Sequence, residues 1–167
     1  MTDESPEAGS RVGWGFDAHR LGGEPPILMG GVTVSETEGV VATSDGDLVA
    51  HAITDALMGA CVLGDIGEHF PSDDPNSENA DSMFLLRQAA TMALASGWVP
   101  VHVDVTVVAE SVRVSPHRKA IRDRLGDALD IPVEAVSVKA TTTDGLGFIG
   151  EGEGIATVAV VTVQATP

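Results

Sequence analysis

Asp17 and His19 stand two residues apart within Gly15-Phe16-Asp17-Ala18-His19. In an extended strand that spacing turns both side chains to one face. His51 follows Ser44-Asp45-Gly46-Asp47 and falls inside Asp47 to Leu63, which reads as a helix. One carboxylate and two imidazoles converging from a strand and a helix make a candidate zinc site. A structural zinc normally takes four protein ligands, whereas a catalytic zinc keeps one position for water or substrate. Three candidates cluster here, so the site reads as open. Asp-x-His alone is a weak signal, and its weight comes from the company it keeps.

A second constellation is Lys139-Ala140-Thr141-Thr142-Thr143-Asp144. Three hydroxyls and a carboxylate at a strand's end offer oxygen ligands for a hard cation and donors to phosphate. The competing reading is a strand that uses Thr for its β propensity, with Asp144-Gly145 as a simple turn. The other histidines rank below Asp17, His19 and His51 as ligands, although His69 could rival one of those three. His69 lies in a loop, His102 on a strand's polar face, and His117 in the first turn of a helix. Gly147, Gly150, Gly152 and Gly154 match no nucleotide-binding fingerprint, which needs a strand–glycine–helix order, and read as sites of close chain packing.

These residues need elements to hold them. Arg11 to Ala18 reads as the first strand. Ile27-Leu28-Met29 and Val32-Thr33-Val34 flank Gly30-Gly31 as a hairpin. In the helix Asp47 to Leu63, an acidic residue at the N-terminus favours capping. Asp47, His51 and Asp55 recur at i, i+4 and i+8 and share one face. That line is either a solvated stripe or, because small and apolar residues surround it, a buried site. Gly64 is expected to end the helix, with Gly64-Asp65-Ile66-Gly67 as a tight turn. Glu68 to Ala80 reads as a loop long enough to act as a lid. Asp81 to Ser96 is a second helix stopped by Gly97. Val99 to Ala109 alternates as a strand with Val101, Val103, Val105 and Val107 on one face. Ser115-Pro116 opens a helix to about Leu129, Val136 to Thr141 is a strand, and Ile155 to Ala165 closes the chain. The expected class is α+β: a single mixed sheet with helices on one face, in β-β-α-α-β-α-β-β order. Residues 1–10 read as a disordered acidic tail and residues 11–167 as one domain.

Composition narrows the function. The 167-residue chain is long enough for a core without staples. Aromatic content is 4%, with no Tyr, and the net charge is −16. Few stacking surfaces and a strongly acidic balance argue against nucleic acid as partner. A phosphate ligand would therefore depend on metals, a few Lys or Arg, or backbone N–H groups. The single Cys61 excludes an intrachain disulfide and a Cys-rich zinc cluster, and it reads as a small buried hydrophobe. No signal segment or long uncharged apolar run is visible, so the expected location is cytoplasmic and no membrane partner is expected.

Six segments taken together resemble the 2-C-methyl-D-erythritol 2,4-cyclodiphosphate synthase family. They are Gly15-Phe16-Asp17-x-His19, Ser44-Asp45-Gly46-Asp47-x-x-x-His51, Asp55-Ala56-Leu57, Gly64-Asp65-Ile66-Gly67-x-x-Phe70-Pro71, Lys139-Ala140-Thr141-Thr142-Thr143, and Gly147-Phe148-x-Gly150-x-Gly152-Glu153-Gly154-Ile155-Ala156. They run in the right order from Arg11 to Ala165. The resemblance implies a homotrimer with active sites between subunits. The implied substrate is 4-diphosphocytidyl-2-C-methyl-D-erythritol 2-phosphate, whose 2-phosphate attacks its own β-phosphate and releases CMP. It implies zinc on Asp17, His19 and His51, and Mg²⁺ or Mn²⁺ on Asp144, where the family usually has Glu. Asp17, Ala18 and His19 would border the substrate. Thr142 matches a residue acting on the transition state. Ser44, Asp65, Ile66, Gly67, Phe70, Pro71, Ser72, Asp73 and Asp74 match the erythritol-phosphate side. Ala109, Glu110, Ser111, Val112, Arg113, Val114, Ser115 and Thr141 match a cytidine pocket donated by a neighbouring subunit, and Thr143 belongs to the same stretch.

Two departures from the family stand out. Thr43 occupies a position commonly His, beside the reacting phosphates. Glu151 occupies a position commonly Arg, where the family grips an isoprenoid diphosphate at the trimer axis, in a cavity lined by residues matching Phe16 and Phe148. The rival readings are a zinc-dependent phosphoester hydrolase and a non-catalytic, metal-stabilised binding trimer.

Overall fold

The computed structural model describes residues 9–71 and 81–166. The tail expected at residues 1–10 lies outside them up to residue 8. Ser10 already belongs to strand β1 (Ser10–Leu21). Next come β2 (Ile27–Met29), β3 (Val32–Ser35), β4 (Val40–Val41) and helix α1 (Leu48–Cys61). The short α2 (Ile66–His69) and α3 (Ser82–Ala95) lead to β5 (Trp98–Val108). A 3₁₀ turn (Ser115–His117) precedes α4 (Arg118–Leu129), and a second one (Val133–Ala135) precedes β6 (Val136–Thr141). α5 (Gly147–Gly150) and β7 (Gly154–Ala165) complete the chain.

The α+β class holds, but two sheets form where one was expected. The main sheet has the order β4-β1-β7-β5-β6, and β2 and β3 pair only with each other. The reason is the turn between them. Gly30 and Gly31 both have positive φ (58° and 72°), as a tight hairpin turn requires, and both donate backbone N–H groups to the Asp47 carboxylate, at 2.8 and 2.6 Å. The hairpin is thereby held at the N-terminus of α1 and not at a sheet edge. Asp47 also accepts from Ala50 N at 3.0 Å as the N-cap of α1. It is fully buried, and that burial pushes its carboxyl above the ordinary range against the pull of the three N–H groups. Asp47→Ala leaves three donors without an acceptor. We expect a loss of about 3 kcal/mol, read as a lower urea midpoint with unchanged slope; an unchanged midpoint contradicts this role.

The helical segments bury one face of the sheet. Val103, Val105 and Val107 of β5 are fully buried, as expected. Val101 is only partly buried, because the register shifts between Pro100 and His102, as at a bulge. The helix α1 ends at Cys61 with Val62 as a left-handed C-cap, two residues before the expected stop at Gly64. The core is built from Ile, Leu, Val, Met and Ala. Trp98 packs against its edge, whereas Trp14, Phe16, Phe84 and Phe148 are each about half exposed or more. Trp14 and Phe16 stack in parallel on the outer face of β1 with centroids 6.2 Å apart.

Candidate metal centre

The helix α1 lies directly on β1 because β1 has no side chain in its way. A Cβ at Gly13 would overlap the carbonyl oxygen of Ala56, and one at Gly15 that of Ala52. Gly13, Gly15, Asp17 and His19 alternate along one face of β1. The glycine track therefore delivers Asp17 and His19 beside the first turns of α1, where His51 points back at them. His51 Nδ1 is 3.1 Å from Asp17 Oδ2, and His19 Nε2 is 3.1 Å from the same oxygen. One donor atom from each of Asp17, His19 and His51 lies within 4.8 Å of the others.

This set fits a cation. His19 Nε2 is buried and makes no hydrogen bond among the described residues, with Asp17 Oδ2 3.1 Å away. Burial alone would raise the Asp17 carboxyl, but contact with His19 and then His51 outweighs it and holds the group well below the usual carboxylate range. The same contact with Asp17 raises His19, against the opposing effect of burial. A carboxylate that stays ionised between two imidazoles is what a divalent ion needs.

The polar line along α1 is the buried alternative, and its three members have three tasks. Asp47 caps, His51 joins the triad, and half-buried Asp55 accepts from Ile66 N at 3.2 Å. That last bond holds the Asp65–Gly67 segment against α1. The segment is the start of α2, not a bare turn: Asp65 caps it by accepting from Glu68 N at 2.9 Å. Ser44 Oγ accepts from Gly46 N at 3.2 Å. Thr43 and Ala18 are exposed, and Phe70 and Pro71 follow α2. Ser72, Asp73 and Asp74 lie outside the described residues, as does most of the expected lid.

The second constellation is ordered by a residue whose role had no signal in the sequence. Glu110 accepts from Thr143 N (2.9 Å), Thr143 Oγ1 (3.1 Å) and Gly145 N (3.3 Å). Those backbone bonds, from Gly145 and Thr143, lower its carboxyl below the usual range. The exposed Thr142 hydroxyl donates to Asp144 Oδ1 at 3.2 Å. Asp144 has a φ of 53°, so its backbone is set by the loop and its carboxylate is left at the surface. Ala109, Val112 and Val114 are buried, whereas Ser111, Arg113 and Ser115 are exposed. Among the other histidines, His69 Nε2 turns to the Leu63 carbonyl oxygen at 2.6 Å. His102 is exposed on β5, and His117 ends the 3₁₀ turn.

The two constellations share one end of the sheet, since β1, β5 and β6 run in parallel, but not one place. Asp17 pairs with Thr157, Thr157 with Val107, and Val107 with Ala140. Three interstrand spacings of about 4.8 Å put the ends of β1 and β6 roughly 14 Å apart. One chain does not bring the triad and the Thr142–Asp144 loop onto one phosphate.

Residues 10–164 match the YgbB family. A 2-C-methyl-D-erythritol 2,4-cyclodiphosphate synthase of Shewanella loihica is 51% identical, across 94% of this chain and 98% of its own length. The synthase of the same name from Halorhodospira halophila is 49% identical, across 94% and 97%. Among solved structures, IspF of Plasmodium falciparum in a complex with CDP superposes with a TM-score of 0.83 at 30% identity, covering 96% of this chain and 99% of that one. The bifunctional IspDF of Campylobacter jejuni gives a TM-score of 0.93 at 40% identity, with 96% of this chain matching 43% of the bifunctional one.

Proposed function

Because the chain belongs to the YgbB family, we propose that it converts 4-diphosphocytidyl-2-C-methyl-D-erythritol 2-phosphate to 2-C-methyl-D-erythritol 2,4-cyclodiphosphate and CMP in the non-mevalonate route to isoprenoids. The observation that carries this reading is the three-donor cluster of Asp17, His19 and His51 at the end of β1. No helix of the described residues is long and apolar enough to cross a membrane.

In this reaction an oxygen of the 2-phosphate bonds to the β-phosphorus, and the bond from that phosphorus to the α–β bridging oxygen breaks. CMP leaves with the electron pair. The nucleophile is already ionised, so positioning and charge neutralisation dominate over base catalysis. Zinc at the triad and Mg²⁺ or Mn²⁺ at Asp144 would supply Lewis-acid polarisation of phosphate oxygens and offset their charge. In this reading Thr142 turns its hydroxyl from Asp144 Oδ1, to which it donates at 3.2 Å, to the reacting phosphates, and Arg113 meets a phosphate as a cation. Asp65 is suited to accept from the erythritol hydroxyls, with Ser44, Ile66 and Gly67 shaping that side. Ala109–Ser115 and Thr141 form the wall for cytidine. Glu110 serves there by holding the loop.

Two copies are needed to complete this site, which supports the trimer. The separation between β1 and β6 is one reason. The other is the outer face of the sheet, where Val12, Trp14 and Phe16 are exposed beside Thr162, Val160 and Val158 of β7. An apolar aromatic stripe of this kind on a chain of charge −16 suits burial against further copies of itself. The test of the reaction is incubation of purified protein with the cytidine diphosphate substrate, zinc and Mg²⁺. CMP release that stops on chelation supports the proposal, and no CMP under any metal condition contradicts it.

Two expectations concern the departures from the family. Thr43→His leaves turnover unchanged or raises it, since an imidazolium donates a stronger, charge-assisted bond to phosphate than a hydroxyl does; a large fall in kcat overturns this. At the axis, Phe148 and Glu151 are exposed in the isolated chain. Three carboxylates around one axis repel a diphosphate. Geranyl or farnesyl diphosphate therefore binds weakly in calorimetry and more tightly to the Glu151→Arg variant. Micromolar binding by the unmodified protein, lost in Phe148→Trp, is the contrary result.

A further inference from the structure

His51 has two ring nitrogens, and only Nδ1 is turned into the triad. The other, Nε2, points away toward the start of α3. Ser82 Oγ lies 2.8 Å from it, and Ser44 Oγ is more distant at 3.4 Å. Ser82 is fully buried. Its own hydroxyl donates to Asp45 Oδ1, and its backbone N–H donates to Asp45 Oδ2 at 2.9 Å. Asp45 also accepts from Asp47 N at 3.2 Å, which fixes the carboxylate within the turn before α1.

We propose that Ser82 and Asp45 are positioning residues that commit His51 to the tautomer able to bind a metal through Nδ1. The proposal rests on the reading of Asp17, His19 and His51 as a metal centre. A neutral imidazole carries one proton, so a lone pair at Nδ1 requires the proton at Nε2. A proton at Nε2 needs an acceptor. A serine hydroxyl both donates and accepts, so by itself it fixes neither tautomer. A carboxylate only accepts, so with a cation at the triad Asp45 at the end of the chain keeps the proton at Nε2, whereas without one Asp17, an acceptor 3.1 Å from Nδ1, competes for it. The Ser82 proton goes to Asp45, the Ser82 lone pair faces Nε2–H, and the lone pair of Nδ1 is left for a cation held between it, Asp17 and His19. The relay also holds the ring plane, because the contacts at Nδ1 and Nε2 lie on opposite sides of the imidazole. Outer contacts of this kind typically change metal affinity by about 10- to 100-fold.

The test compares the unmodified chain with Asp45→Asn and Ser82→Ala, each checked for unchanged circular dichroism. Zinc affinity is measured by competition with a chromophoric chelator. The imidazole N–H of His51 is followed by nitrogen-15 NMR in the zinc-loaded protein. We expect zinc to bind at least about tenfold more weakly in both variants. We also expect a His51 Nε2–H signal protected from solvent exchange in the unmodified chain and unprotected in Ser82→Ala. Ser82→Thr, which keeps the hydroxyl, should restore both. Zinc affinity within twofold across all chains, with the same exchange behaviour, overturns the relay and leaves the metal centre standing. Failure of the unmodified chain to bind zinc overturns the metal centre itself, and this role with it.

Discussion

His51→Ala abolishes turnover and removes bound zinc, while the chain keeps its fold and its assembly. The expected size follows from the ligand count. Three donors meet at the triad, and two cannot fix an open tetrahedral site. The fold survives because His51 is not part of the core: the packing of α1 on β1 is set at Gly13 and Gly15, and the capping of α1 by Asp47 is untouched. Bound zinc is read by elemental analysis and assembly by light scattering. Full zinc in an active His51→Ala protein defeats the assignment of the triad.

Two inactive chains together regain activity. Asp144→Ala is expected to lower turnover strongly while retaining zinc, since Asp144 lies on the loop after β6 and the triad near the end of β1. If each site takes its triad from one copy and its Thr142–Asp144 loop from the next, a mixed trimer contains some sites with both halves intact. Every trimer that contains both His51→Ala and Asp144→Ala chains then has one complete site of its three, so mixed trimers give about one third of the unmodified activity. Co-expressed, differently tagged chains purified through both tags provide the sample. No recovery in a demonstrated mixed trimer contradicts a site shared between copies.

Much of this arrangement was legible because it depends on local spacing. Asp17 and His19 share a face by strand alternation, and His51 sits in the first turn of a capped helix. Val136–Thr141 matches its expected strand at both ends, with β-branched residues at three of its six positions. What was not legible depends on pairing between distant segments. The hairpin around Gly30-Gly31 was readable, but its separation from the main sheet hangs on Asp47, sixteen and seventeen residues away. α2 and α5 are four residues each, too short for periodicity to register. Ser82 lies 31 residues from His51 and 37 from Asp45, so no motif spacing links them. Glu110 lay within the stretch assigned to cytidine, and nothing in its neighbours signalled that its carboxylate would hold Thr143 and Gly145.

The most direct test of the proposed cyclisation is phosphorus NMR of the product, taken alongside the nucleotide released. Cyclisation by this chain predicts one CMP for each substrate consumed, a product with two mutually coupled diphosphate signals, and no orthophosphate. An open-chain product with uncoupled phosphate signals would mean that water attacks the β-phosphorus in place of the 2-phosphate, and orthophosphate that water cleaves the 2-phosphate ester; either would make the protein a metal-dependent hydrolase.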